Sequence, residues 1–305
     1  IACGNTVVLK PAETTSLTAL KLAELIKDSG LPKGVVNIVT GAGKTGEAIV
    51  NHPDINKIAF TGSTEVGKLI ERSLAGIEKK TTLELGGKGA NIIFEDAAID
   101  QAVEGIVNAI FFNQGHVCCA GSRLFIQASV ADTVIEKLKD RISTLIVGDP
   151  LDKNTDIGAI NSVEQLNTIE KYIEIGKKEG GEIYQTECSL PKKGNWCPPT
   201  LFLNVSQSHT IVKEEIFGPV LAIQTFRTID EVIEKANNSP FGLSAGVWTE
   251  KGSKIFKLTK ELNAGVVWAN TYNKFDPCSP FGGFKESGMG REGGLHGLKS
   301  YIKFE

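Results

Sequence analysis

Along the first part of the chain, short apolar and β-branched runs alternate with longer stretches in which apolar residues return every three or four positions. VVLK (7–10) reads as a buried strand. SLTALKLAELIKDSG (16–30) sets Leu17, Leu20, Leu22, Leu25 and Ile26 on one helical face and stops at Gly30 and Pro32. VVNIVT, KIAFTG and KKTTLEL then read as strands, with helices over KTGEAIVNH and STEVGKLIERSLAG between them. This βαβα rhythm predicts a parallel, doubly wound sheet, hence the α/β class.

The rhythm restarts after Gly86 and Gly87. NIIF, RLFIQ, VLAIQTF, LSAGVWT and GVVWAN read as strands. DAAIDQAVEGIVNAIFF, ADTVIEKLKDRISTLIV, QLNTIEKYIEIGKKEGG, DEVIEKANN and KIFKLTKEL read as helices. A boundary at 86–88 divides the chain into two α/β units, with no long linker, low-complexity tract or internal repeat.

Composition narrows the partners. Net charge is −3 over 305 residues, with basic residues scattered, so no nucleic-acid or anionic-membrane footprint is present. No apolar run approaches the roughly 20 residues of a membrane helix, and nothing at the start reads as a signal peptide. The single methionine is Met289, and the chain opens on a strand-like segment. It therefore reads as the later part of a longer protein. Six irregularly spaced cysteines argue for a reducing compartment rather than a disulfide framework. Four dispersed histidines and the absence of C-x-x-C predict no metal site.

Three stretches carry candidate chemistry. GAGKTG (41–46) fits G-x-G-x-x-G, but the Walker pattern would need glycine at Ile38, and no acidic residue stands at a strand end about 20 positions on; a plain strand-to-helix turn accounts for it. FTGSTEVG (60–67) is a better anion site: Gly62 frees the backbone, and Ser63 or Thr64 caps a helix whose first amides lack partners. A capped helix with nothing bound explains it equally well. In FFNQGHVCCAGSR (111–123), Cys118 and Cys119 are open to three readings: buried apolar residues, metal ligands with His116, or a thiolate held by backbone amides. Glu84, in an apolar strand end before two glycines, is the acid such a nucleophile would need, or else a carboxylate that merely reaches water.

The order GNTVVLKPAE, FTGSTEVG, LELGGK, FNQGHVCCAGSR, KEEIFGPV, ANNSPFGLSAGV, SPFGGFKESGMGRE resembles the aldehyde dehydrogenase superfamily over the whole chain, and VCCAGSR is similar to its family-sixteen branch. The resemblance implies a Rossmann-type cofactor domain, incomplete here, at 1–86. It implies a thiol-bearing catalytic domain at 87–288 and a return segment at 289–305. It implies Cys118 as nucleophile, with Cys119 packed inward, and Glu84 as general base. Lys10 and Glu13 would hold the adenosine ribose, and Gly62 and Ser63 the pyrophosphate. Leu85, Glu215 and Phe217 would lie around the nicotinamide and its ribose, with Asn273 and Phe275 on the aldehyde tunnel. The implied reaction is oxidation of an aldehyde to a carboxylic acid through a thiohemiacetal and a thioester. NAD is the expected cofactor because the Glu13 carboxylate would repel a 2′-phosphate, with NADP as the alternative. A homo-oligomer in the cytoplasm, or in mitochondria, is the further expectation.

Departures qualify the match. His116 stands where the family has Gln or Glu; of its two readings, an imidazole that tunes the thiolate and one that fills the glutamine's space, the second is expected. Gly89 replaces a small polar residue or Ala and is expected to loosen its turn. The family's oxyanion Asn, its first cofactor-domain strands and most of its oligomerisation hairpin would precede Ile1. The 305-residue piece is therefore expected to be a poor catalyst and to aggregate through unpaired edges. Other readings are a non-catalytic scaffold module, a CoA-acylating relative, which the Glu84 base disfavours, and a thiol hydrolase, which leaves the cofactor motifs unexplained.

Overall fold

The computed structural model describes residues 1–303. The chain forms two compact units, one of 1–83, 277–280 and 290–305, the other of 84–276 and 281–289.

In the first unit, β1 (Val7–Leu9) pairs in parallel with β2 (Val36–Ile38), Val7 opposite Val36, across the crossover helix α1 (Ser16–Asp28). Then come α2 (Gly43–Asn51), β3 (Lys57–Thr61), α3 (Thr64–Leu74) and β4 (Lys80–Glu84), with β3 and β4 adjacent in a second small sheet. The predicted elements are present, but they fall in two separate small sheets rather than one continuous sheet. Helix α1 has the predicted apolar positions, yet it buries none of them, and Leu17 is 83% exposed.

The second unit is built on a seven-stranded sheet. Its elements are β5 (Ala90–Ile93), α4 (Ile99–Phe111), β6 (Arg123–Gln127), α5 (Ala131–Ser143), α6 (Val163–Lys178), β7 (Glu182–Gln185), β8 (Thr200–Leu203), α7 (Thr210–Lys213), β9 (Val220–Phe226), α8 (Ile229–Asn237), β10 (Phe241–Gly242), β11 (Ser244–Trp248), α9 (Gly252–Glu261) and β12 (Val266–Ala269). The order across the sheet is β12-β11-β5-β6-β9-β8-β7, parallel except for β7 against β8.

Alternation explains how both faces are covered. On β5 and β6, Ile93, Leu124 and Ile126 join the core beneath α4 and α5, where Ile106, Ile110, Val134 and Leu138 lie. Ala90, Ile92 and Phe125 face the other way, onto Val232, Ile233 and Leu258 of α8 and α9. A strand buried on both faces reads as one apolar run, which is how NIIF and RLFIQ look in the sequence. Two strands escaped that reading: EIYQ (β7) and TLFL (β8) flank a polar, Pro- and Gly-containing stretch and follow no helix-strand rhythm. Helix α5 also ends earlier than its apolar pattern. Thr144 closes onto Arg141, and Val147 instead bridges to Ile157.

Two cations sit inside this unit. Arg123, 4% exposed, donates to the carbonyls of Lys88, Lys235 and Ala236. Lys88, 3% exposed, is pushed down to about 7 by burial and by Arg123, against the opposing pull of Glu215 and Glu214. Between about pH 7 and the ordinary lysine value near 10.4, the unfolded chain binds a proton that the folded chain does not. Lys88 therefore makes stability rise with pH across that window, and its penalty is complete below it. Thermal melts of Lys88→Met against wild type should show the variant's relative advantage largest at pH 6–7 and shrinking toward pH 10; a difference flat with pH would contradict the buried-amine account.

Candidate active site

The turn that carries the two cysteines is made by an unusual backbone. After α4 the chain passes through Asn113 (φ 50°), Gln114 (φ 55°) and Gly115 (φ 76°), three successive left-handed residues. For a side chain such as Gln this costs roughly 1–2 kcal/mol, so the surroundings must hold it. Gln114 Oε1 accepts the Gly158 N–H at 3.2 Å, and Asn113 Nδ2 donates to the His116 carbonyl at 3.1 Å. The reversal turns Cys118 out to a half-buried position and Cys119 into the interior at 1% exposure.

Cys119 is fixed at both its ends. Its carbonyl accepts from Tyr272 Oη and from Ser244 Oγ, both at 3.0 Å, and its thiol lies 3.6 Å from Asn273 Oδ1. A hydrogen bond with the Cys118 thiol, together with burial, pushes the Cys119 thiol far up, so it keeps its proton. Asn273, itself left-handed (φ 54°), donates to the Asn108 carbonyl, and Asn108 donates to Tyr272 O. Tyr272, 1% exposed, thus joins the cysteine turn to α4 and to the end of β12. Tyr272 and Ser244 were not singled out in the sequence; the neighbouring Asn273 was the only signal. Gly89 does the opposite of loosening its turn. A Cβ there would come within 2.7 Å of both Tyr272 Oη and the Ala120 carbonyl, so its bareness lets the hydroxyl reach its partners.

Gly87 brings a second segment to the turn. A Cβ at this position would stand 2.1 Å from the Cys118 carbonyl oxygen, and the Gly87 N–H donates to Glu215 Oε1 at 2.9 Å. One glycine therefore touches both the cysteine turn and the KEEIFGPV segment. Burial raises the Glu215 carboxyl, against the Gly87 N–H and Lys88. Glu84, three residues before Gly87, is 4% exposed at the end of β4, and the buried Leu85 gives its N–H to Ser287 O at 3.0 Å. Phe217 is 37% exposed with φ 56°, and Gln165 Nε2 donates to the carbonyls of Ile216 and Phe217 at 3.0 Å. Phe275, 59% exposed, lies 5.5 Å from Trp268 and 5.3 Å from Phe281 between ring centres.

The remaining expected residues belong to the first unit. Lys10 Nζ donates to the carbonyls of Pro11 and Gly41 at 2.9 Å and lies 3.5 Å from Glu13. The glycine-rich turn set aside in the sequence thus serves to hold Lys10. The Glu13 carboxyl is held below its usual range by its own backbone N–H and by Lys10. Ser63 Oγ caps α3, accepting from Val66 N at 3.2 Å, and Gly62 precedes it. Among the described residues, no group of three or more His, Cys, Asp or Glu could hold a metal ion, and no helix is long and apolar enough to cross a membrane.

An α/β unit whose half-buried cysteine is pinned beside paired glycines defines a thiol-bearing α/β domain. The chain belongs to the aldehyde dehydrogenase family: the model described as "Aldehyde dehydrogenase family" matches residues 1–305. Retinal dehydrogenase 2 of Rattus norvegicus is 50% identical over 303 residues, 99% of this chain and 58% of that protein. A crystal structure of an NAD-dependent aldehyde dehydrogenase from Sinorhizobium meliloti superposes with a TM-score of 0.96 at 40% identity, covering 98% of this chain and 60% of that one. An NAD+ complex of an aldehyde dehydrogenase from Bacillus cereus gives 0.94 at 47% identity, covering 98% and 61%. The chain thus spans about three-fifths of the length of these relatives.

Gly87→Ala should displace the Cys118 carbonyl and lower the unfolding free energy by about 1–3 kcal/mol. It should also change the rate of Cys118 alkylation by iodoacetamide about 10-fold. Unchanged melting together with unchanged alkylation would mean that the contact is slack.

Proposed function

We propose that the protein oxidises an aldehyde to a carboxylic acid with NAD+ as hydride acceptor. The observation that carries this reading is the meeting at Gly87 of the Cys118 turn and the Glu215 segment, with Glu84 buried three residues away. The residues present fit the cofactor: Glu13 offers an exposed, ionised carboxylate to ribose hydroxyls, and Gly62 adds no side chain before the amides of α3. In this reading Lys10 and Glu13 bind the adenosine ribose, and Gly62 and Ser63 the pyrophosphate. Glu215 takes the nicotinamide ribose, Phe217 lies by the nicotinamide, and the Leu85 carbonyl is offered to the carboxamide. Residues 1–86 then serve the cofactor and 87–288 the thiol chemistry, with 289–305 returning to the cofactor part.

The Cys118 thiolate adds to the aldehyde carbon, forming a C–S bond and an oxyanion that the Cys118 backbone N–H can stabilise. The hydride on that carbon would then leave for the acceptor that a bound NAD+ would supply. The oxyanion collapses to a thioester on Cys118. Glu84 takes a proton from water, whose oxygen attacks the thioester, and the thiolate leaves as the acid forms. Cys119, protonated and buried, takes no part. Phe275 is exposed enough to meet the aldehyde's chain, whereas Asn273 supports the turn from inside. Homo-oligomeric assembly and a cytoplasmic location rest on the family resemblance alone.

In the full-length protein, Cys118→Ala should abolish NADH formation, a loss of about 10³-fold or more, while Cys119→Ala should keep most of it; the reverse pattern would sink the assignment. Glu84→Gln should still give one NADH per site in a rapid burst, followed by turnover slowed about 10²- to 10⁴-fold. A missing burst would place Glu84 before hydride transfer instead.

A further inference from the structure

His116 is the one departure of the cysteine turn that the reaction leaves unused. Both ring nitrogens are buried and make no side-chain hydrogen bond among the described residues, and the Phe217 main chain is the polar group that bears on the ring. Burial holds the imidazole below its usual value, partly opposed by the Phe217 main chain, so the ring is neutral and behaves as a flat, weakly polar plate. That plate lies 5.3 Å from the Phe217 ring, centre to centre, at 39°.

The backbone fixes this pairing. A Cβ on Gly115 would stand 2.3 Å from the Gly218 carbonyl oxygen, so residues 115–116 back directly onto 217–218. The Phe217 main chain, left-handed at φ 56°, is held by Gln165. Gln165 bonds only the carbonyl, however, and leaves the ring to its neighbours. His116 supplies a ring face to it.

We propose that His116 is a positioning residue for cofactor binding: its ring braces the Phe217 ring at the face offered to the nicotinamide, and it does not adjust Cys118 two residues on. This rests on the dehydrogenase reading above. It goes past the expectation that His116 simply fills the space of a glutamine, because a glutamine supplies no ring face.

The test uses the full-length protein with His116→Ala, His116→Gln and His116→Phe. NAD+ dissociation constants would be read from protein fluorescence without aldehyde, together with kcat, KM for NAD+ and the pH dependence of Cys118 alkylation in the cofactor-free protein. An aromatic pair of this kind corresponds to about a 2- to 10-fold effect on binding. His116→Ala and His116→Gln should weaken NAD+ by that factor in both Kd and KM, with kcat little changed. His116→Phe should restore wild-type binding, and the alkylation midpoint should stay where it is in all three. A shifted midpoint in His116→Ala would overturn the proposal in favour of thiol tuning. Unaltered NAD+ binding in His116→Ala, or failure of His116→Phe to restore it, would overturn it as well. If wild type itself binds no NAD+, the dehydrogenase reading falls and takes this inference with it, a result told apart by appearing before any substitution.

Discussion

The close approach at Gly87 is the constraint on which the rest of the site depends. Its α-carbon lies where any side chain would run into the Cys118 carbonyl, and its amide is spent on Glu215. Three loops far apart in sequence therefore share one small volume, and the geometry of each becomes a boundary condition for the others. The left-handed run Asn113–Gly115 can be read the same way. It stores strain that the Gly158 and His116 bonds hold in place, and the strain is what turns Cys118 outward while Cys119 goes in.

Electrostatics sharpens what the backbone sets up. The two thiols are chemically alike in sequence, yet one is enclosed, hydrogen-bonded and held in its protonated form, and the other is half exposed. Nearby, a buried lysine and a buried arginine are arranged so that the arginine spends its donors on backbone carbonyls, while the lysine yields its charge more readily than usual. The half-buried carboxylate of Glu215 feels both desolvation and that lysine. The polarity of this region is thus set by main-chain groups and desolvation more than by paired side-chain charges.

Much of this was legible in the chain. The double-sided burial of β5 and β6 appears as unbroken apolar runs, and the resemblance carried by the order of the motifs singles out Cys118, Glu84 and Glu215 as candidates. What was hidden follows a physical pattern. Strands β7 and β8 lie outside the helix-strand rhythm, so periodicity had nothing to count. Tyr272 and Ser244 act through hydroxyl contacts to a main-chain carbonyl more than a hundred residues away, and no local pattern encodes that. Gly89 looked like a weakness because its missing side chain was judged against its own turn, not against the tyrosine that needs the room. The exposed flank of α1 shows the converse: a clear amphipathic pattern says which face is apolar, not what covers it.

Several of the bonds around the cysteine turn are long in chain terms. Gly87 to Glu215 spans 128 positions, Cys119 to Tyr272 153, and Asn108 to Asn273 165. Contacts of this kind form late, because the chain entropy of closing such loops is lost before any of them repays it. The sheet closes loops of the same order, Ala90 pairing with Ala245 and Arg123 with Ala222, so the surroundings of Cys118 exist only once both ends of the second unit are in place. A half-made or partly unfolded molecule would then carry two equivalent thiols, so that the difference between Cys118 and Cys119 arrives with the completed fold and leaves with its first large opening.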